Sequence, residues 1–438
     1  MATTAQAPLQ SAKLDAASPG ERGSQVLAPW TVTQSINIRR HTAALRPFRR
    51  DEFGTTAAAP TPGHIEAVNR LISKLRRGLV SYSRAAAQAA EAATKQPSTP
   101  QLQRLVDGKA RAHTWVQRVE KIWDFYFELF GQRQSRYANW LLSCDRITLD
   151  VYRAAYLGLG VARSIPAPPP FSYMRTGFSP ATFRRGIPLT KLGKQLNPFP
   201  LVELPYHRLV NPWTLGAVLH EISHNLQSDL GLSKDIPRAI AMRLMEAGIS
   251  RSVVFTWVKW NREMFADMSA LLLGGPEVVG SLMDVIGRSP EAVVAFNPRG
   301  VHPTPWLRMF NSVELLRRMG FTREADEYGM AWKRVYPSGA GIPDAVLKSF
   351  PKACALAVDT MCFRPYRALG NKSLAQVYMF GRKEQQMMHE AAERLSKGVD
   401  PGIIPERFVI GAARFALIHG MAPPAVITKN FYKTLASG

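Results

Sequence analysis

The pentapeptide His220-Glu221-Ile222-Ser223-His224 constrains this chain more than any other stretch, because it matches the pattern H-E-x-x-H. On an α-helix, residues four positions apart lie on one face, so both imidazoles can point at a single metal ion. Glu221 lies about 100° round the helix from His220. It would therefore stand beside the metal, where a general base takes a proton from water.

The residues around the motif predict a buried helix from Trp213 to about Leu230. Pro212 suits the first turn of such a helix. Apolar residues recur at helical spacing and would hold the two imidazoles against a core; they are Leu215, Val218, Leu219, Ile222 and Leu226.

The third metal ligand has to come from elsewhere in the chain, because Gln227 and Leu230 occupy the Gly and His positions of H-E-x-x-H-x-x-G-x-x-H. Glu263 and Asp267 lie one turn apart on a helix predicted over Ser252–Leu273. Glu263 can complete a two-His, one-Glu site for one Zn²⁺ and leave a fourth position open.

Asp267 can accept the second imidazole N–H of a ligand histidine and fix its tautomer. Two alternatives stay open at this point. Glu246 is a rival third ligand, although no carboxylate follows it four residues later. Glu263 and Asp267 could also belong to an ordinary solvated helix face.

The order of three motifs resembles a known class of enzymes. After His220–His224 come Glu263-Met264-Phe265-Ala266-Asp267 and then His302-Pro303, with Arg308 following. This series resembles the gluzincin class of zinc metallopeptidases, and within it the CAAX prenyl endopeptidases and bacterial heat-shock membrane metallopeptidases. The similarity covers Leu201 to Arg308. The membrane-spanning helices of that family have no counterpart here.

The resemblance implies a zincin-like core and hydrolysis of peptide bonds in peptide or protein substrates, with Glu221 as general base. It implies that His302 stabilises the oxyanion, unless it is a loop histidine with a turn role. Arg308 would anchor a substrate carboxylate or Asp267, or else lie on the surface. The strand of Leu201, Val202, Glu203 and Leu204 would be an edge strand that pairs with substrate backbone, or a plain core strand.

The hydrophobic pattern predicts a mainly α fold with a small β-sheet (α+β), its zincin-like core flanked by helical regions. We expect a largely disordered extension over 1–62, with a short ordered piece near Val26–Ile38. A helical N-terminal region over 63–165 would precede a metallopeptidase domain over 166–330. A helical C-terminal region over 331–438 would complete the chain.

The net charge of +23 leaves room for an acidic partner, although a solvated basic surface is the simpler interpretation. No nucleic-acid motif accompanies it. Three cysteines without a CxxC favour a reducing compartment. Because no signal peptide and no run of about 18 apolar residues occur, we expect a soluble cytoplasmic protein.

Three functions therefore compete. The leading one is a soluble zinc endopeptidase. The second is a catalytically silent zincin fold, used for binding or as a structural part of a larger assembly. The third is a basic nucleic-acid-associated protein with a structural zinc. An open two-His, one-Glu site suits catalysis better than a closed structural site, which usually contains cysteines.

Overall fold

The computed structural model describes residues 19–160, 167–177, 179–193 and 195–437, which form two compact units. The first unit contains the described residues up to 48 together with 68–126. The second contains 49–67 together with the described residues from 127 onward. The predicted fold class, mainly α with a small β-sheet, is confirmed.

Helices make up most of the described chain. In order they are α1 (Pro19–Ala44), α2 (Pro62–Lys95), α3 (Thr99–Gly131), α4 (Ala138–Leu159), α5 (Tyr206–Leu209), α6 (Gly216–Asp229), α7 (Asp235–Glu246), α8 (Arg251–Gly274), α9 (Pro276–Ile286), α10 (Pro290–Val294), α11 (Pro305–Arg318), α12 (Thr322–Val335), α13 (Asp344–Val358), α14 (Leu374–Tyr378), α15 (Arg382–Ser396), α16 (Phe408–Ile418) and α17 (Pro424–Ser437). None of the described helices has the length and apolar character that crossing a bilayer demands.

Helix α1 lies where the composition predicted a largely disordered extension over 1–62. Residues 1–18 of that extension lie outside the described residues. From Pro19 the chain is helical up to Ala44, so the ordered part is longer than the piece predicted near Val26–Ile38. The prediction of disorder is wrong for this part of the extension.

The buried side of α1 explains why its sequence gave so weak a signal. Thr31, Gln34 and Ile38 are buried at helical spacing, and two of the three are polar. Ile38 packs with Ala86 of α2 and Ala112 of α3. A helix that buries polar and small side chains shows no apolar period, although its backbone is regular.

The second unit has one continuous apolar core, which extends from Leu141 on α4 to Leu435 on α17. Residues of α6 and α8 share this core with those of α15, α16 and α17. The predicted boundaries at 165 and 330 therefore do not coincide with the units of the fold. The C-terminal helices belong to the unit that carries the H-E-x-x-H motif.

The sheet of the second unit corrects one expectation. Its strands are β1 (Phe171–Met174), β2 (Ala181–Phe183) and β3 (Leu201–Leu204), in the order β1-β3-β2. Strand β3 pairs in parallel with β1 and antiparallel with β2. It is the central strand, and both of its edges carry neighbours.

Leu201, Val202, Glu203 and Leu204 therefore do not form a substrate-pairing edge, and the prediction that they do is wrong. Leu201, Val202 and Leu204 are buried. The Glu203 carboxylate accepts hydrogen bonds from the Tyr173 hydroxyl at 2.6 Å and from Lys191 Nζ at 3.0 Å. Sheet order decides which strand is an edge, and one strand's own sequence does not reveal that order.

Candidate metal centre

Helix α6 holds both histidines of the motif on one face. The five apolar positions predicted to support it are all fully buried in the core of the second unit. The imidazole rings of His220 and His224 lie 4.8 Å apart between centroids, at an angle of 86° between their planes. Packing of the apolar side against the core thus aims both rings at the neighbouring helix, α8.

Helix α8 brings Glu263 against these two rings. Oε2 of Glu263 lies 3.4 Å from Nε2 of His220, and Oε1 lies 3.5 Å from Nε2 of His224. In a tetrahedral zinc site with bonds of about 2.1 Å, neighbouring ligand atoms are about 3.4 Å apart. The spacing of these three side chains fits a zinc ion.

The rival ligand, Glu246, does not join this group. It is the last residue of α7 and is exposed. Among the described residues, His220, His224 and Glu263 form the group whose ligand atoms come within 4.8 Å of one another. The structure therefore brings together the residues that the spacing of the sequence selected and leaves Glu246 outside.

Asp267 and Arg308 form a second layer behind His220. Nδ1–H of His220 donates to Oδ1 of Asp267 at 2.8 Å, which directs its Nε2 toward Glu263 and His224. Arg308, on α11, donates to the same carboxylate through Nε at 2.5 Å and Nη2 at 2.7 Å. This is the bidentate geometry that arginine forms with carboxylates.

Arg308 was predicted to bind either a substrate carboxylate or Asp267, and the structure places it on Asp267. Its side chain is 11% exposed. A guanidinium that is buried and paired in this way acts through Asp267 on the orientation of His220. The surface alternative is therefore wrong, whereas a direct contact of Arg308 with substrate stays a prediction, because this residue lines the cleft.

His224 lacks a comparable support. Its Nδ1 is buried and has no hydrogen-bond partner among the described residues. Burial, together with the nearby positive charge of His220, lowers the pKa of His224 to about 3. The ring is therefore neutral and ready to donate a lone pair, but packing alone fixes its orientation.

The charges of the group compensate one another. Burial lowers the pKa of His220, but the carboxylates of Asp267 and Glu263 outweigh it and raise this pKa to about 9. Burial raises the pKa of Glu263, but hydrogen bonds from His220 and His302 outweigh it and hold this pKa well below its usual range. Without a metal, His220 carries the proton that a divalent cation would replace.

Glu221 stands in the cleft beside the group. It has no ion pair or hydrogen bond with other described side chains, so its carboxylate is available to a bound molecule. Burial raises its pKa above the usual range, and the positive charge of His220 works against that rise. A carboxylate of raised pKa in a cleft is suited to accepting and returning a proton.

His302 reaches the group from the loop that precedes α11. Its Nε2 lies 3.2 Å from Oε2 of Glu263, and its side chain is 63% exposed. The ring thus faces both the group and the solvent of the cleft. The role of His302 as an oxyanion donor and the alternative of a loop histidine with a turn role both stay predictions.

The cleft that holds the group has a volume of about 350 Å³, which lies within the range of ligand sites. Sequence reasoning missed most of its remaining lining. Val278, Leu282 and Val285, at helical spacing on α9, form an apolar wall of the cleft. In the sequence these residues are typical of a core helix, so no signal distinguished them.

Small residues at the start of α6 shape the same wall. Gly216 and Ala217 line the cleft. A side chain at Gly216 would come within 2.8 Å of Cβ of Ser281 on α9, so only glycine allows this approach of the two helices. Ser179 to Thr182, which include the start of β2, line the cleft from another side.

Comparisons with protein-family models, with curated proteins and with solved structures found no match to this chain.

Proposed function

We propose that this chain is a zinc-dependent endopeptidase of the gluzincin type, similar in its motifs to the CAAX prenyl endopeptidases and heat-shock membrane metallopeptidases. One observation carries the proposal. Two imidazole Nε2 atoms lie 3.4–3.5 Å from the two oxygens of one carboxylate, on the wall of an open cleft. A free carboxylate, that of Glu221, stands next to them.

His220, His224 and Glu263 would hold the zinc ion. When bound, zinc supplies a Lewis acid that polarises a carbonyl and makes water acidic near neutral pH. Glu221 accepts a proton as the water oxygen attacks the carbonyl carbon. It then delivers that proton to the amine nitrogen as the C–N bond breaks. Its raised pKa suits both halves of this exchange.

His302 is assigned to the developing oxyanion. Its exposed ring is within 3.2 Å of Glu263 and can turn its N–H toward a carbonyl oxygen beside the metal. Donors that stand ready at such a position typically contribute about 3 kcal/mol to the stability of the transition state.

The free edge of β2 replaces β3 as the strand for the substrate backbone. Within the described residues, strand β2 pairs with β3 alone, and residues 179–182 line the cleft. An extended peptide can add to such an edge by main-chain hydrogen bonds. Thr182 accepts a hydrogen bond from Asn225 of α6 at 3.1 Å, which ties this strand to the helix of the motif.

The apolar wall on α9 favours substrates with a hydrophobic side chain next to the scissile bond. Val278, Leu282 and Val285 line the same cleft as the charged residues. A side chain that covers them would remove apolar surface from water, at about 25 cal/mol per Å².

A cytoplasmic location goes with this proposal. Cys144, Cys354 and Cys362 are buried free thiols. Thiols that stay reduced are typical of a reducing compartment.

The test compares the parent with Glu221→Gln, after metal analysis shows about one zinc in each. We expect the parent to cleave members of a mixed peptide library and the variant to lose about 10²–10⁴-fold in rate, as for removal of a general base. Glu246→Gln, at the exposed end of α7, is the matched control and should keep full activity. Zinc in both proteins with cleavage by neither would instead favour the catalytically silent zincin fold.

A further inference from the structure

The first unit carries a large excess of positive charge. Between residues 25–48 and 68–126 the sequence has 14 arginines and lysines against four acidic residues. These residues lie on α1, on most of α2 and α3, and on short connecting segments. The charge of a helical unit alone says only that the surface is basic, so the position of each cation decides what it can bind.

Helix α1 covers one side of the pair formed by α2 and α3. Ile38 of α1 packs on both helices, and the hydroxyl of Thr94 on α2 donates to that of Thr31 at 2.7 Å. Lys109 of α3 donates to the side chain of Gln34 at 2.6 Å. The opposite side of the α2–α3 pair is therefore the side that α1 leaves uncovered.

Exposed cations line this uncovered side. At about 100° per residue, two exposed basic residues of α2 and three of α3 fall on the side of the α2–α3 seam away from α1. This basic face consists of Lys74, Arg77, Arg104, Arg111 and Arg118, all of which are exposed. The three arginines of α3 are spaced by seven residues, or about 10 Å along the helix.

Aromatic rings lie at the seam beside these cations. Trp115 packs so closely over Gly78 that a side chain there would come within 2.6 Å of the ring. Tyr82, 40% exposed, stacks on Trp115 with ring centroids 5.8 Å apart. The guanidinium of Arg118 lies 4.8 Å from the centre of the Trp115 ring. A base could extend this stack.

We propose that the basic face binds single-stranded nucleic acid, with its arginines on phosphates and the Trp115–Tyr82 pair as a platform for bases. Arginine predominates over lysine on this face, and its planar group matches phosphate and stacks on rings. Aromatic rings among cations are typical of single-strand binding, because every base has a face that can stack. This binding is independent of the proposed peptidase activity.

An anionic membrane is the main competing partner. Tyr82 is exposed at the seam beside these cations, whereas the exposed aliphatic residue of α3, Val106, lies about 140° round the helix from Arg111. Peripheral membrane binding by a helix requires an apolar side that enters the lipid. The observed combination of rings and arginines therefore favours nucleotides over lipid.

The experiment measures fluorescence anisotropy of a labelled 20-nucleotide single strand of mixed sequence with the full chain, at several salt concentrations. The test variant replaces Lys74, Arg77, Arg104, Arg111 and Arg118 by glutamine. The control variant removes five exposed charges of the second unit: Arg251, Arg334, Lys383, Lys397 and Lys429. Thermal unfolding curves of both variants check that they are folded like the parent.

We expect the test variant to bind at least about tenfold more weakly, and the slope of log affinity against log salt to fall by about 3.5, or 0.7 for each lost phosphate contact. The control should stay within about twofold of the parent. A third variant, Tyr82→Ser, should weaken the single strand more than a duplex of the same sequence, because only the single strand offers free base faces.

Equal losses in the test and control variants would overturn the proposal, since binding would then follow net charge and not this face. Absence of binding by the parent would also overturn it. The proposal would also be overturned if the parent binds vesicles of phosphatidylserine and phosphatidylcholine through these residues and does not bind the oligonucleotide.

Discussion

The two walls of the cleft are held in different ways. The charged wall depends on a chain of buried ion pairs that joins His220 to Asp267 and Asp267 to Arg308. The apolar wall on α9 depends on side-chain volume and on the close approach of α9 to Gly216. Removal of one partner of a buried ion pair lowers the free energy of unfolding strongly. Apolar side chains can instead repack when the volume of a neighbour changes. In the proposed peptidase, the first wall would therefore set the chemistry and the second would set the selectivity.

Loss of the third ligand should have the largest effect on the charged wall. In Glu263→Ala only two imidazoles remain, and we expect zinc to be lost on dialysis while the far-ultraviolet circular dichroism stays that of the parent. Zinc measured per protein by mass spectrometry checks this. Glu246→Ala is the control and should keep its metal. Full zinc occupancy in Glu263→Ala would mean that another residue is the ligand.

Removal of the arginine behind the ligands tests whether the ion pairs are structural. Arg308→Met leaves Asp267 buried with only the His220 imidazolium beside it. We expect a loss of about 3 kcal/mol in the free energy of unfolding, at the low end for a broken buried pair. Denaturant unfolding of the apo-protein measures this loss.

The matched control for that variant is on the same helix. Arg318 pairs with Glu314 and Asp359 near the surface, where its side chain is 32% exposed. Arg318→Met should lose no more than about 1 kcal/mol, because exposed ion pairs contribute little. Equal losses in the two variants would show that burial of the Asp267 pair does not matter.

Protonation of His220 should make the zinc affinity of the charged wall depend on pH. The pKa of His220 is raised to about 9 and that of His224 is lowered to about 3. Between these values zinc must displace one proton, so its apparent affinity should rise about tenfold per pH unit up to about pH 9.

Competition with a chelator at pH 6.5, 7.5 and 8.5 measures this dependence. In Asp267→Asn the pKa of His220 should fall. The zinc affinity should then stop rising with pH once the pH exceeds this lower pKa. The change Asp344→Asn, at a carboxylate that is 81% exposed, should leave the slope unchanged. A slope of two protons per zinc would show that both imidazoles are charged in the apo-protein.

The charged wall was largely predictable from the sequence, and the reason is local. His220, Glu221 and His224 are neighbours on one helix, and Glu263 and Asp267 are one turn apart on another, so helix geometry alone fixes each set. Only the meeting of the two helices had to be assumed. Buried carboxylates in a largely apolar helix such as α8 are rare enough to indicate a partner.

The apolar wall and the sheet were not predictable in this way. Val278 and Leu282 have the period of any core helix, and nothing in the sequence says that they border a cleft. Whether β3 is an edge strand or a central strand depends on where β1 and β2 pair. These two strands are short, and their sequences show little of the apolar alternation that predicts a strand. Helix α1 was missed because Thr31 and Gln34, and not apolar residues, are on its buried side.

A change in selectivity is the effect that separates the apolar wall from the charged one. Ala217→Leu adds volume to the lining of the cleft at the start of α6, and zinc measured per protein checks that the metal ligands still bind. If this space receives a substrate side chain, kcat/KM should fall about 10-fold to 200-fold for peptides with a large residue at that position, the range for small volume changes in hydrophobic pockets. Peptides with alanine there should be almost unaffected. Val285→Ala widens the same space and should shift the preference toward larger residues. A uniform fall for all peptides in both variants would instead place the selectivity elsewhere in the cleft.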